Sequence, residues 1–152
     1  MTSPESLTFM MGTFEATFPT DRSYSKLHQW IQPIEENRYR IGLTDYSVRL
    51  LKDVYFLDWL IDEGVDVQYK QEIGEVESAK AVSALYAPIG GQDIQFNQAL
   101  MNDPSLINSS TYEKGWLFEL TSTDPMLTAE EYLAILDENW KQAQRVIKGQ
   151  IQ

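Results

Sequence analysis

From Leu27 to about Leu120 the chain is a succession of short runs rich in Val, Ile, Tyr, Phe and Trp, broken every few positions by Gly, Asn, Asp or Pro. Alternation with a period of two sends successive side chains to opposite faces of a strand. It predicts strands at His28–Ile31, Arg38–Leu43, Asp53–Leu57, Gln71–Glu77, Ala81–Tyr86, Asp93–Phe96 and Gly115–Leu120. Many short strands at such spacing make a small β-sandwich or barrel. Helical signals interrupt them. Thr44-Asp45 can cap a short helix through Leu51, since a hydroxyl or carboxylate satisfies the free amides of a first turn. Asn97–Met101 forms one further turn, ended before Pro104. From Thr128 the period changes: Tyr132, Leu136, Trp140, Ala143 and Ile147 recur at helical spacing behind a Thr128/Glu131 capping box. That is a C-terminal amphipathic helix of roughly 17 to 20 residues, its apolar stripe laid on the β body. Residues 1–18 hold Phe9, Met10, Met11, Phe14 and Phe18 with few turn signals, and read as an extension packing onto the body. The organisation expected is an extension over 1–17, one β domain over 18–127, and a helix over 128–152 packed on that domain.

At 152 residues and 43% hydrophobic content, the chain can bury a core without metal or disulfide staples. It has no cysteine, which excludes a disulfide framework, a cysteine nucleophile and a thiolate metal site. Apolar runs are only a few residues long and the start lacks a signal-peptide pattern, so a cytoplasmic protein with no membrane span is expected. The net charge of −11 argues against nucleic acid, because phosphates attract Lys/Arg surfaces and repel acidic ones. An acidic surface serves solubility; it also suits a protein that docks several basic partners in turn.

The segment that carries chemistry runs from Gly74 to Pro88. Its strand-like halves Ile73–Glu77 and Ala81–Leu85 flank Ser78-Ala79-Lys80, which places Lys80 at or beside a hairpin tip. By position alone Lys80 is an ordinary turn lysine. However, Gly74, Val76, Glu77, Ser78, Lys80 and Ala81, followed by Tyr86, Ala87, Pro88 and Gly91, resemble the lipoylation loop of the glycine cleavage H proteins. The rest agrees in order and spacing. Phe18-Pro19-Thr20-Asp21 with Tyr24 and His28-Gln29-Trp30 is similar to the family's opening strand, and Ile41-Gly42-Leu43-Thr44-Asp45-Tyr46 to its next segment. Asp53-Val54-Tyr55-Phe56, Asn97-Gln98-Ala99-Leu100, Asp103-Pro104-Ser105-Leu106-Ile107-Asn108 and Gly115-Trp116-Leu117 continue the likeness, which runs from about Phe18 to Leu136.

The resemblance implies a mainly β, flattened barrel-sandwich of the lipoyl/biotinyl-like type, with short helices and a C-terminal amphipathic helix. It implies a carrier rather than an enzyme, with lipoic acid amide-linked to Lys80 and with Glu77, Ser78 and Gly91 read by the lipoylating enzyme. Its partners would be a pyridoxal-phosphate glycine decarboxylase, a tetrahydrofolate-dependent aminomethyltransferase, a dihydrolipoyl dehydrogenase using FAD and NAD, and a lipoate ligase or lipoyl transferase. The arm would carry an aminomethyl group between them, at high effective concentration while the body is docked. A monomer is expected, since a carrier visits several enzymes.

Family members shelter the loaded arm with a serine and a glutamate just before the opening-strand tryptophan and an aspartate after the lysine loop. Here those places hold Leu27, Gln29 and Ala84, with His28, the only histidine, among them. Gln29 can accept a hydrogen bond, roughly half as strong as one assisted by charge. Two pathways therefore stay open: glycine cleavage, or an H-like lipoate-binding protein in sulfur oxidation with heterodisulfide-reductase-like partners or in lipoate relay. An unmodified interaction scaffold is a third reading.

Other candidates carry little. A single histidine cannot build a metal cluster or triad. Glu35-Glu36 and Glu130-Glu131 read as a solvated loop and a helix N-terminus. Gly90-Gly91 is a turn rather than a phosphate loop. Trp30, Trp59, Trp116 and Trp140 read as core, with Trp59 the one alternative candidate for an exposed docking position.

Overall fold

The computed structural model describes the backbone of residues 5–151 and the side chains of residues 5–142. Ala143 and Ile147, expected on the helical stripe, lie outside the described side chains. The architecture is mainly β: three antiparallel sheets that do not close into a barrel, with short helices between them and one long helix at the end. It is the flattened barrel-sandwich expected.

The first residues form a hairpin of β1 (Ser6–Met11) and β2 (Phe14–Pro19), a two-stranded sheet turned at Gly12, whose φ of 66° a side chain would disfavour. Neither strand is expected from the sequence, in which Gly12 is a lone turn signal among the apolar residues Phe9, Met10, Met11 and Phe14. A five-stranded sheet follows in the order β3 (Ser23–Tyr24), β4 (Gln29–Glu35), β5 (Arg38–Leu43), β10 (Phe118–Thr121), β9 (Gln92–Phe96). The third sheet is β6 (Val54–Trp59), β7 (Glu72–Ser78) and β8 (Val82–Tyr86).

Helix α1 (Asp45–Leu51) is capped by Thr44, whose hydroxyl accepts from the Ser47 amide at 3.4 Å. Single turns α2 (Ala99–Asn102) and α3 (Leu106–Ser109) pack Leu100 and Ile107 inward; α3 was not expected. β10 begins at Phe118 rather than at Gly115, because Gly115 is still held in the preceding turn, its amide donating to the Ser110 carbonyl at 2.8 Å. Helix α4 (Ala129–Ile151) starts with the capping box in place: the Glu131 amide donates to Thr128 Oγ1 at 3.1 Å, and the Thr128 amide to Glu131 Oε1 at 2.9 Å.

Two apolar clusters result. The mainly aliphatic one lies between the five- and three-stranded sheets and includes Ile31, Ile41, Val54, Leu57, Ile73, Val76, Leu85, Ile94 and Leu120, with Phe118 as its fully buried ring. The aromatic one lies between the first hairpin, β3–β4 and α4, and includes Phe18, Tyr24, Trp30, Tyr132 and Leu136. Trp59 belongs with the core as a half-buried ring, stacked on Phe96 at 4.2 Å.

Candidate functional site

Strands β7 and β8 pair as far as Glu77 with Val82, and the Ser78 amide donates to the Ala81 carbonyl at 3.0 Å, leaving Ala79 and Lys80 as the turn. Two-residue hairpin turns favour positive φ and hence Gly or Asn. Neither Ala79 nor Lys80 has positive φ, and a side chain supplies the missing order instead. Ser78 is buried; its hydroxyl accepts from the Lys80 and Ala81 amides at 3.3 and 3.4 Å and lies 3.2 Å from the Ala81 carbonyl. The Ala79 amide donates to the Asp53 carbonyl at 2.9 Å, tying the tip to β6. The result is an exposed lysine on a braced turn, with no ion-pair partner among the described residues.

Glu77 is half-buried and stands in a cross-strand row with Phe56 on β6 and Val82 on β8. Ala84 lies on the same outer face one row along, directly opposite Glu75, which itself faces Asp58. At ~3.3 Å per residue, Ala84 is about 13 Å along the strand from Lys80.

Gln29 sits at the start of β4, only 3% exposed, and its Nε2 donates to the Tyr86 carbonyl at the end of β8 at 2.9 Å. This hydrogen bond joins the free edge of the three-stranded sheet to the five-stranded one. Gln29 Oε1 is buried without a partner among the described residues. Leu27 is half-buried, its amide held by Ser25 Oγ at 3.0 Å.

His28 precedes the strand expected to contain it, because its φ of 66° is left-handed rather than extended. Its Nδ1 lies 2.9 Å from Tyr132 Oη, which is 3.0 Å from Thr44 Oγ1, and its ring packs on Tyr46 with centroids 4.7 Å apart. Burial holds the His28 pKa below the ordinary value, which favours neutral imidazole. Burial likewise pushes the Tyr24, Tyr112 and Tyr132 hydroxyls up, so they stay protonated as donors. The helical period marked Tyr132 as an inward residue, but no local signal in the sequence shows that it meets His28.

Gly91 stands beyond the far end of β8 from the Lys80 turn. It exchanges backbone hydrogen bonds with Val67 at 2.9 and 3.0 Å, and a Cβ there would collide with the Thr121 carbonyl and come within 2.7 Å of Leu120 Cδ1. The structure thus groups Lys80, Ser78 and Glu77 at the tip and Ala84 along the same face, joins Gln29 to the other end of β8, and sets Gly91 apart. A cleft of about 420 Å³ opens among Tyr24, Ser25, Tyr69, Pro88, Ile89 and Met126, away from the turn. Among the described residues there is no acidic or histidine cluster able to hold a metal, and no helix long and apolar enough to cross a membrane.

A family model described as glycine cleavage H-protein matches residues 22–145. The chain belongs to the glycine cleavage H-protein family. It is 38% identical over 125 residues to the glycine cleavage system H protein of Geobacillus thermodenitrificans, covering 79% of this chain and 97% of that one. It is 37% identical over 129 residues to that of Shewanella baltica, covering 82% and 99%. Among solved structures, the glycine cleavage system H protein of Mycobacterium marinum matches with a TM-score of 0.67 at 38% identity, covering 77% of this chain and 97% of that chain. The Lys80 hairpin falls inside the family segment, and the β1–β2 hairpin precedes it.

Proposed function

We propose that Lys80 carries lipoic acid in amide linkage and that the chain is the lipoyl carrier of a glycine cleavage system. The supporting observation is an exposed lysine, without an ion-pair partner among the described residues, at the tip of a hairpin whose turn is braced by a buried serine, in a chain of this family. The residues suit the group: the ε-amine is exposed to acylation, and amidation removes its charge without breaking an ion pair among the described residues. When bound, lipoic acid supplies a disulfide that two electrons open to a dithiol, chemistry a cysteine-free chain lacks.

The protein's own contribution is positional. Ser78 fixes the direction in which Lys80 leaves the turn, and Glu77, Ser78 and Gly91 are the features a lipoate ligase or lipoyl transferase would read. The body then presents the arm in turn to glycine decarboxylase, aminomethyltransferase and dihydrolipoyl dehydrogenase, raising the effective concentration at each handover. Leu27, His28, Gln29 and Ala84 form the proposed resting place of the arm. The neutral Gln29 amide and the apolar Leu27 favour a second reading in which the carrier serves sulfur oxidation or lipoate relay.

Intact-protein mass spectrometry after expression with lipoate and a lipoate ligase tests the carrier role. A lipoyl increment that disappears in Lys80→Arg is expected; no increment under conditions that modify a Geobacillus H protein would overturn it. Exchange of glycine carboxyl with bicarbonate, driven by glycine decarboxylase, separates the two pathways: the first reading requires it and the second does not.

A further inference from the structure

The outer face of the β6–β7–β8 sheet, which leads away from the Lys80 turn, breaks two ordinary rules of an exposed β surface. The first is apolar. A β-bulge between Val54 and Phe56 sets two residues of β6 against one step of β7, so the alternation resets. Val54 and Leu57 are buried, while Tyr55 and Phe56 are 57% and 51% exposed. Val82, at the other end of the row through Glu77, is 62% exposed. Bulges re-aim side chains, and this one turns an aromatic ring outward within one cross-strand row of the arm's root.

The second exception is electrostatic. The three strands of the sheet carry Asp58, Glu72, Glu75 and Glu77 and no lysine or arginine. None of these acids forms an ion pair among the described residues. Asp58 and Glu75 stand directly opposite each other, a like-charge pair that destabilises a sheet. A fold keeps such a repulsive, unpaired arrangement where something outside it gains.

We propose that this face is the chain's docking surface: Tyr55, Phe56 and Val82 are its apolar anchor, Asp58 and Glu75 its acidic flank. Its occupant is an enzyme that acts on the Lys80 arm and whose docking face carries lysine or arginine side chains around a shallow apolar centre. The inference rests on Lys80 carrying lipoate for glycine decarboxylase. The arrangement matches the anatomy of a protein interface, in which a few aromatic anchors hold the energy and complementary charge steers encounter. Amidation of Lys80 removes the one base at the tip and makes the face still more acidic.

The test uses the full-length, lipoylated chain as substrate in glycine–bicarbonate exchange by purified glycine decarboxylase, read as KM against kcat. Phe56→Ser is expected to raise KM by about tenfold with kcat within about twofold. The double variant Asp58→Lys/Glu75→Lys is expected to raise KM by about tenfold and flatten its dependence on salt, while its thermal midpoint stays level or rises. Met10→Ser, at an exposed apolar position on β1, is the control and should leave KM unchanged. A KM within twofold of wild type for Phe56→Ser or for the charge reversal overturns the docking surface, as does an equal effect from Met10→Ser. Absence of the lipoyl mass, or a lipoylated wild type inert with the decarboxylase, instead removes the underlying reading and this inference with it.

Discussion

The core beneath the Lys80 hairpin is mainly aliphatic, with Phe118 its one fully buried aromatic ring: Ile73 and Val76 of β7 and Leu85 of β8 meet Ile31, Ile41 and Leu120 across the sandwich. The core beneath the first hairpin is aromatic and directional. Tyr24 stacks on Tyr132 at 5.0 Å, Phe18 meets Tyr132 edge-on at 5.4 Å, Tyr24 Oη donates to the Pro19 carbonyl, and Trp30 Nε1 donates to the Thr111 carbonyl. Asp45 of α1 reinforces it, accepting from both the amide and the hydroxyl of Thr17 on β2 at 3.0 Å. The mainly aliphatic core holds its sheet largely by burial, which leaves the outer face of that sheet free for an acidic surface without ion pairs among the described residues. The aromatic core instead fixes angles, and it clamps the first hairpin and α4 onto the start of β4, with His28 just before it and Gln29 its first residue. One region presents; the other braces.

The largest expected effect tests that division. Phe18→Ala removes a fully buried ring from the bracing core and should cost about 3–5 kcal/mol in denaturant unfolding. If the regions divide as described, Lys80 in this variant is still lipoylated at the wild-type rate well below the unfolding transition. Loss of lipoylation in protein that remains folded would show that the hairpin depends on the brace. Gly91→Ala probes the seam from the other side. The Thr121 carbonyl blocks the new methyl, so a loss of about 1–3 kcal/mol is expected from overpacking. Lipoylation rates measured on the same protein then tell whether the modifying enzyme also reads this residue.

How much of this was legible in sequence differs between the regions in the same way. Strands β5 through β9 lie within a residue or two of the expected bounds, since each is a run rich in apolar residues ended by turn residues. The α1 cap and the α4 capping box were readable because they are local hydrogen bonds between near neighbours. The first hairpin was not, because Phe14, Phe18 and Met11 are an apolar cluster whose partners lie on a helix more than a hundred residues away. The Lys80 turn was placed correctly by pattern, yet the hydroxyl that orders it was seen only as part of a motif. The bulge at Tyr55 escaped entirely: alternation through Val54-Tyr55-Phe56-Leu57 buries Phe56 and exposes Leu57, and pairing with β7 reverses both. Nor could spacing show that Gln29 reaches across to the Tyr86 carbonyl.

Ser78→Ala asks how much of the presenting region's order is polar after all. Two amides of the tip lose their acceptor, so the cost should be about 1 kcal/mol, concentrated locally. Amide hydrogen exchange should quicken at Lys80 and Ala81 while Ile73 and Val76 stay protected. Uniform loss of protection across β7 would mean that the hydroxyl supports the sheet rather than the turn.

The smallest effect concerns His28, at the edge of the bracing core beside Gln29, the residue that joins the two regions. Its pKa lies below the ordinary 6.5 because burial penalises the imidazolium. The unfolded chain therefore binds a proton more readily than the folded one, and stability rises with pH across this window. The contribution is whole above the unfolded value and is lost as pH falls below it toward the folded value. Asn tolerates the left-handed backbone at this position and does not titrate, so His28→Asn isolates the proton from the conformation. Between about pH 7.5 and pH 5 the wild type should lose more unfolding free energy than His28→Asn, the carboxylates being common to both. Equal losses would mean that His28 is as free to protonate in the fold as out of it, and that the packing of Tyr46 and Tyr132 around the ring does not seal this end of the seam.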